Sequence, residues 1–384
     1  MPTVFVSCGE PSGDLYAGAL ASQLSALDPS VRVTGFGGER LAAAGASLVG
    51  DYHGLAVTGL VEALRVLPQS FAMYRRLVRA AREQRPDVFV AIDFPDFNFR
   101  LAAAIRRLGV PIVYYIPPQV WAWRSGRMQT LKTLADRILV IFPFEPDIYR
   151  EAGTPATFVG HPLVELASAT ATREEFLRAV DLDPGRPVVA LLPGSRANEI
   201  REILPTVLEA LPRISAKVPG VQFLLARAPG LADSLLAPLA SSAAPVTVVV
   251  GRSDDVLNSA TAVITASGTA TVQAAIHECP MVIVYRVAPL SWAIGRRFVH
   301  VDTFGMVNLV AGSRVAAELI QDGFTPDSVA AETVRLLTDV PAREAMIGAL
   351  RDVRARLGGH GASRRAAEAV LEVAYAGKKT EAGR

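Results

Sequence analysis

Short runs of β-branched and apolar residues alternate along this chain with longer segments whose apolar positions recur every three or four residues. The short runs read as strands: 3–8 (TVFVSC), 31–38 (VRVTGFGG), 87–93 (DVFVAID), 111–116 (PIVYYI), 137–142 (RILVIF) and 156–160 (ATFVG). The segments between them, such as FAMYRRLVRAAREQ and LAAAIRRLG, carry helical periodicity. A second series follows at 187–194, 221–228, 246–251, 262–267 and 280–287, again with helical patterns between. Strands that are apolar throughout and alternate with helices predict parallel sheets covered on both faces. The two series are divided near 165–186, which is rich in Ala, Thr and charge, and the last 50 or so residues are helical up to a KKTEAGR tail expected to fray. The prediction is an α/β chain of two Rossmann-like halves with a cleft between two sets of strand C-termini, where such sheets bind ligands. Glycosyltransferases, sugar-nucleotide epimerases and some binding proteins all share that plan.

Composition narrows the choice. The 384 residues suit two or three domains, and 51% hydrophobic content supplies two cores. Lys plus Arg is 39 against 37 for Asp plus Glu, a formal +2, so nucleic acid is not an expected partner. Two distant cysteines, Cys8 and Cys279, offer no disulfide framework and fit a reducing cytoplasm. The five histidines show no HExxH or CxxC context, so neither a metal nor another cofactor is expected. The opening PTVFVSCGE is unlike a signal peptide, and no apolar run reaches about 18 residues, so membrane contact is expected to be peripheral.

Candidate chemistry sits where strands give way to helices. In LLPGSRANEI, Gly194 lets the backbone approach a ligand, the helix N-terminus offers N–H groups to phosphate, and Arg196 adds a bidentate fork. An ordinary turn with Arg196 on the surface is the alternative. In ASGTATVQAA, Ser267, Gly268 and Thr269 form a second such turn, which simple N-capping also explains. SCGEPSGDLYAG follows the first strand and is neither a dinucleotide nor a P-loop motif; capping accounts for Ser12 or Asp14 alone, less easily for Glu10, Ser12 and Asp14 together. In AIDFPDFN, Asp93 closes a strand and Asp96 follows; Asp96 is the preferred general base, with bracing or solvation as the alternative. Trp121, Trp123, Arg124, Arg127 and Lys132 form an aromatic and basic cluster suited to a sugar or an anionic acceptor, or to plain core packing. Val61, Leu64, Leu67 and Phe71 form an apolar stripe flanked by Arg65, Arg75, Arg76, Arg79 and Arg82. Such a stripe can lie on an anionic membrane or simply cover a core, and Pro68 is expected to start a second helix.

Taken together, GEPSGD, RPDVFVAIDFPDFN, QVWAWR, FPFEPDIY, VGHPL, LLPGSRANEI, ASGTAT and CPMVIVYR resemble, in order from Val4 to Leu371, the lipid-A-disaccharide synthase family of two-domain (GT-B) glycosyltransferases. The resemblance implies an N-terminal acceptor domain over 1–165, a UDP-sugar domain over 166–341 and C-terminal helices 342–376 packing back on the first. It implies transfer, with inversion, from UDP-2,3-diacylglucosamine to the 6-hydroxyl of 2,3-diacylglucosamine 1-phosphate, giving a β-1,6 disaccharide phosphate and UDP in lipid A synthesis. It implies a peripheral enzyme on the cytoplasmic face of the inner membrane of a Gram-negative-type bacterium, and points to a homodimer.

By the same resemblance Asp96 and Glu10 are catalytic, with Asp96 taking the hydroxyl proton. Ser12, Asp14, Asp93, Trp123 and Arg124 shape the acceptor side. Gly194, Ser195, Arg196, Glu199, Ser267, Gly268, Thr269, Gln273 and Asn308 serve UDP, and the stripe of Val61, Leu64, Leu67 and Phe71 faces membrane or acyl chains. Departure of UDP would be stabilised by N–H dipoles and Arg196 without a metal. Three positions depart from the family: Gln273 stands where it usually has Glu, and His300 and Val307 where it favours Lys and Pro. Two competing readings are a UDP-sugar 2-epimerase on the same fold, against which GEPSGD and WAWR argue, and a non-catalytic sugar-nucleotide-binding protein, at which Gln273 hints.

Overall fold

A computed structural model describes residues 1–53, 60–118, 125–287, 303 and 305–382, with the backbone alone for 60–66, 125–126 and 377–382. The chain divides into two compact units, Met1–Pro162 with Gly358–Arg384, and Leu163–Leu357. Each is built on its own sheet with helices, and every ladder is parallel.

The first sheet holds β1 (Thr3–Ser7), β2 (Arg32–Gly37), β3 (Ser47–Asp51), β4 (Val88–Ile92), β5 (Ile112–Tyr115), β6 (Arg137–Val140) and β7 (Thr157–Phe158), in the order β3-β2-β1-β4-β5-β6-β7. The second holds β8 (Val188–Leu192), β9 (Gln222–Arg227), β10 (Val246–Val250), β11 (Ala262–Ala266), β12 (Met281–Tyr285) and β13 (Ala317–Ile320), in the order β10-β9-β8-β11-β12-β13. All the expected strands are present. Those beside the centre, β4, β8 and β11, are buried at every position, which is why they read as unbroken apolar runs. Burying each such Val, Leu or Ile contributes roughly 1.5–3 kcal/mol.

In each sheet the chain runs outward on one side and then returns to the other. The order reverses between β1 and β4 in the first sheet and between β8 and β11 in the second. Such reversals open a crevice at the strand C-termini.

Three expectations change. Val340–Arg356 packs within the second unit, against the helices Thr269–Ile276, Met306–Ala311 and Pro326–Thr338, so the return expected over 342–376 begins only at Gly358. The last helix, Ala362–Ala382, then lies against Pro11–Leu27 and runs through most of the tail expected to fray. Pro68 starts no new helix: Leu60–Gln84 passes straight through it. Pro68 is exposed, and it lacks the N–H that would bond the carbonyl four residues before it. Among the described residues no helix is long and apolar enough to cross a membrane.

Candidate functional site

The four polar turns flagged in the sequence occupy equivalent places. SCGEPSGD leaves β1 and DFPDFN leaves β4, which are paired through Ser7 and Ala91. PGSR leaves β8 and SGTA leaves β11, paired through Leu192 and Thr265. Each unit therefore carries its two motif turns side by side at its own reversal point.

In the second unit the two turns differ. Gly194 has φ +130°, and a Cβ there would lie 2.5 Å from the Glu199 side chain. Glu199 folds under the turn: one carboxylate oxygen accepts from Ser195 N at 2.9 Å and Arg196 N at 3.2 Å, and the other lies 3.3 Å from the Arg196 guanidinium. These N–H groups, expected to face pyrophosphate, are thus occupied by the chain's own anion, which completes a capping box on the helix Ala197–Lys217. The turn after β11 leaves room at its glycine: a Cβ on Gly268 would meet nothing within 4 Å. Gly268, at φ +137°, begins the helix Thr269–Ile276 and has no side chain of its own with which to cap it. The dipole of this helix favours an anion at its N-terminus.

Gln273, one turn further on, donates from Nε2 to Ser253 Oγ at 3.0 Å and to Asp254 Oδ1 at 2.7 Å. The same Asp254 oxygen lies 2.8 Å from Nε2 of the nearly buried His277. Asp254 and His277 carried no motif, because they meet only when two helices pack. Asn308 does not present itself to a ligand. It is buried, and its amide binds Ala316 O, Glu318 Oε1, Val315 N and Ala316 N at 2.7–2.9 Å. That uses all four of its hydrogen-bonding positions, so it clamps the chain ahead of β13.

In the first unit Asp14 is likewise structural. Its buried carboxylate accepts from Gly38 N at 2.7 Å, Arg40 N at 3.0 Å and Leu41 N at 3.2 Å, anchoring the helix Glu39–Ala43. Glu10, at the start of Pro11–Leu27, and Ser12 behind it remain half-buried at the turn. Asp96 lies in the first turn of Pro95–Arg106, its side chain 86% exposed and ion-paired with Arg127. Asp93 and Phe94 are both left-handed, at φ +46° and +48°. The Asp93 carbonyl accepts from Asn98 Nδ2 at 2.8 Å and from the Tyr114 hydroxyl at 3.1 Å. Burial, and behind it the charge of Asp93, hold the Tyr16 and Tyr114 phenols above their usual range, so both stay protonated. His161 lies close by, edge-on to Tyr16, and burial pushes its imidazole down to about 3.

Trp121, Trp123, Arg124 and His300 lie outside the described residues. So do the side chains of Val61 and Leu64. Leu67 and Phe71 are 52% and 61% exposed. Among the described residues no cluster of His, Cys, Asp or Glu could hold a metal.

The comparison with known proteins decides the family. A sequence profile for lipid-A-disaccharide synthetase matches residues 4–373. The lipid-A-disaccharide synthase of Geobacter sulfurreducens is 43% identical over 374 residues, covering 96% of this chain and 97% of that protein. The chain belongs to the lipid-A-disaccharide synthase family. The Myxococcus xanthus synthase is 41% identical over 378 residues, with 98% and 99% covered. Membership makes the chain a glycosyltransferase of lipid A disaccharide synthesis. Solved structures share the two-domain Rossmann-like fold at far lower identity. UDP-GlcNAc 2-epimerase from Neisseria meningitidis bound to UDP-GlcNAc gives a TM-score of 0.70 at 12% identity, covering 96% of this chain and 99% of that one. The glycotransferase of kitacinnamycin gives 0.62 at 20%, covering 97% and 98%. The epimerase likeness is one of fold alone; the family separates the two readings.

Proposed function

We propose that the chain transfers the 2,3-diacylglucosaminyl group of UDP-2,3-diacylglucosamine to the 6-hydroxyl of 2,3-diacylglucosamine 1-phosphate, with inversion, giving a β-1,6 disaccharide phosphate and UDP. The observation that carries this reading is the placement of paired polar turns at both reversal points, one pair rich in phosphate-binding features and the other in carboxylates. On the donor side, the N-terminus of the helix after Gly268 and the Arg196 guanidinium take the pyrophosphate. Ser195, Ser267 and Thr269 line the two turns, and Gln273 lies beside the ribose. On the acceptor side, Asp96 accepts the 6-hydroxyl proton as oxygen attacks the anomeric carbon and its bond to the UDP oxygen breaks; UDP leaves as an anion. Glu10, Ser12 and Asp93 frame the acceptor, with Trp123 and Arg124 assigned there too.

For Asp96 the Arg127 ion pair has a consequence. The ion pair occupies the oxygen that would take the proton, so Arg127 must turn away, towards the acceptor phosphate for instance, when substrate binds. The exposed Leu67 and Phe71, with Val61 and Leu64 on the same helix and arginines beside them, suit a peripheral seat on the cytoplasmic face of the inner membrane, where acylated substrates reside. A homodimer belongs to the same proposal.

The test incubates donor and acceptor together and follows UDP and disaccharide. Equal amounts of the two are expected, with turnover at least a hundredfold lower in Asp96→Asn. Epimerisation of the donor without acceptor would overturn the transferase reading, and an unimpaired Asp96→Asn the choice of base.

A further inference from the structure

Asn98 is buried, sits in the first turn of Pro95–Arg106 and takes no part in the chemistry assigned above. Its side chain joins the ends of two strands. Oδ1 accepts from Ser7 Oγ at 2.6 Å, while Nδ2 faces the carbonyls of Ser7 and Ile92, both at 3.2 Å, and of Asp93 at 2.8 Å. Two hydrogens thus serve three carbonyls drawn from β1, from β4 and from the turn that follows β4. The Asp93 carbonyl has a second donor in Tyr114, whose hydroxyl arrives from β5.

What these bonds hold is a conformation the chain would not choose. Two successive non-glycine residues, Asp93 and Phe94, are left-handed, and such backbone persists only where the surroundings over-determine it. The Phe94 ring comes so close to Gly9 that a Cβ there would lie 2.2 Å from it. The turn after β4 is therefore keyed into the turn after β1, next to Glu10. Beyond Phe94 comes Pro95, whose ring fixes φ, and then Asp96. Few torsions separate the Asp93 carbonyl from the Asp96 carboxylate, so where that carbonyl is held decides where the carboxylate is aimed.

We propose that Asn98, with Tyr114 as its partner on the Asp93 carbonyl, is a positioning residue for the reaction: it holds the left-handed turn that presents Asp96 to the acceptor hydroxyl and registers it against Glu10. The inference rests on the reading of Asp96 as the base. A brace serving the fold alone would show in stability and leave the chemistry of folded enzyme untouched.

The experiment compares Asn98→Ala, Tyr114→Phe and Asp96→Asn for kcat, donor and acceptor KM, and the pH dependence of kcat. Tyr114→Phe removes a single hydroxyl and decides the matter if Asn98→Ala does not fold. The expected result for both is a fall in kcat of tenfold or more, donor KM within twofold, and a displaced acidic limb of the kcat profile. Unchanged kcat in folded Tyr114→Phe, or a lower kcat with an undisplaced profile, overturns the positioning role. If Asp96→Asn keeps full activity, the base assignment fails instead. An inactive Asp96→Asn beside a normal Tyr114→Phe overturns the positioning role alone.

Discussion

Gln273 Nε2 lies 2.7 Å from Asp254 Oδ1, an oxygen it shares with His277. The amide is the neutral partner that a neighbouring carboxylate can accept. Replacing it by Glu would set two carboxylates within hydrogen-bonding distance, and Asp254 is only about a quarter exposed. Gln273→Glu is expected to lose about 1–2 kcal/mol of stability in urea titration. Adding Asp254→Asn should restore it, because donor and acceptor then simply exchange sides. A single variant as stable as the parent would show that the two side chains do not answer each other.

Gly194 is held at a φ that L side chains avoid, directly above Glu199. Gly194→Ala is expected to cost about 2–3 kcal/mol, since the turn must open to admit a Cβ. UDP affinity by calorimetry should fall at least tenfold in protein that remains folded. An unaltered affinity would remove this turn from the donor site.

His161 gives a pH dependence whose sign is fixed. Its folded value of about 3 lies below the ordinary 6.5 of the unfolded chain. Between those limits the unfolded state binds a proton that the folded state refuses. Stability is therefore complete above about pH 6.5 and falls as the pH drops towards 3, by up to about 1.4 kcal/mol per unit. Denaturation midpoints between pH 7 and 4.5 should show the slope in the parent, flattened in His161→Gln. Parallel slopes would place the acid sensitivity elsewhere.

Phe71 and Leu67 project from a helix bearing Arg75, Arg76 and Arg79. Phe71→Ser removes a side chain whose burial contributes roughly 1.5–3 kcal/mol. Binding to vesicles containing anionic phospholipid should weaken about tenfold or more, with activity on detergent-dispersed substrates preserved. Vesicle binding that ignores the substitution would move the membrane contact to another surface.

Strands such as β4 and β8 were legible because every side chain in them is buried. β3 and β13 were missed because SLVGD and AELI are short, half-exposed and mixed in polarity. The motif turns were legible for a related reason: glycines and polar residues stand out against apolar strands. What each polar residue does there was not. Asp14 and Asn308 read as ligands, yet their polar atoms meet groups of their own fold: backbone N–H for Asp14, and backbone together with the Glu318 carboxylate for Asn308. Glu199 turned inward onto its own helix N-terminus. Asn98 and Tyr114 are not legible, since an asparagine in a helix and a tyrosine in a strand signal nothing until the strands are side by side. Composition identifies a polar turn, but only three-dimensional neighbours say whether its polarity points outward.

The helix Ala362–Ala382 belongs to the first unit although it is made after the second. It covers Pro11–Leu27, Tyr375 reaches Asp28, and Arg365 donates to the carbonyl of Val159. On the ribosome, the first 162 residues emerge with that helix surface bare and wait for the whole second unit, Leu163–Leu357, before their cover arrives. The second unit is one uninterrupted stretch and can close as soon as it is translated. Completion of the first unit thus waits on residues made after the second, and truncation ahead of Ala362 strips the first unit rather than the second.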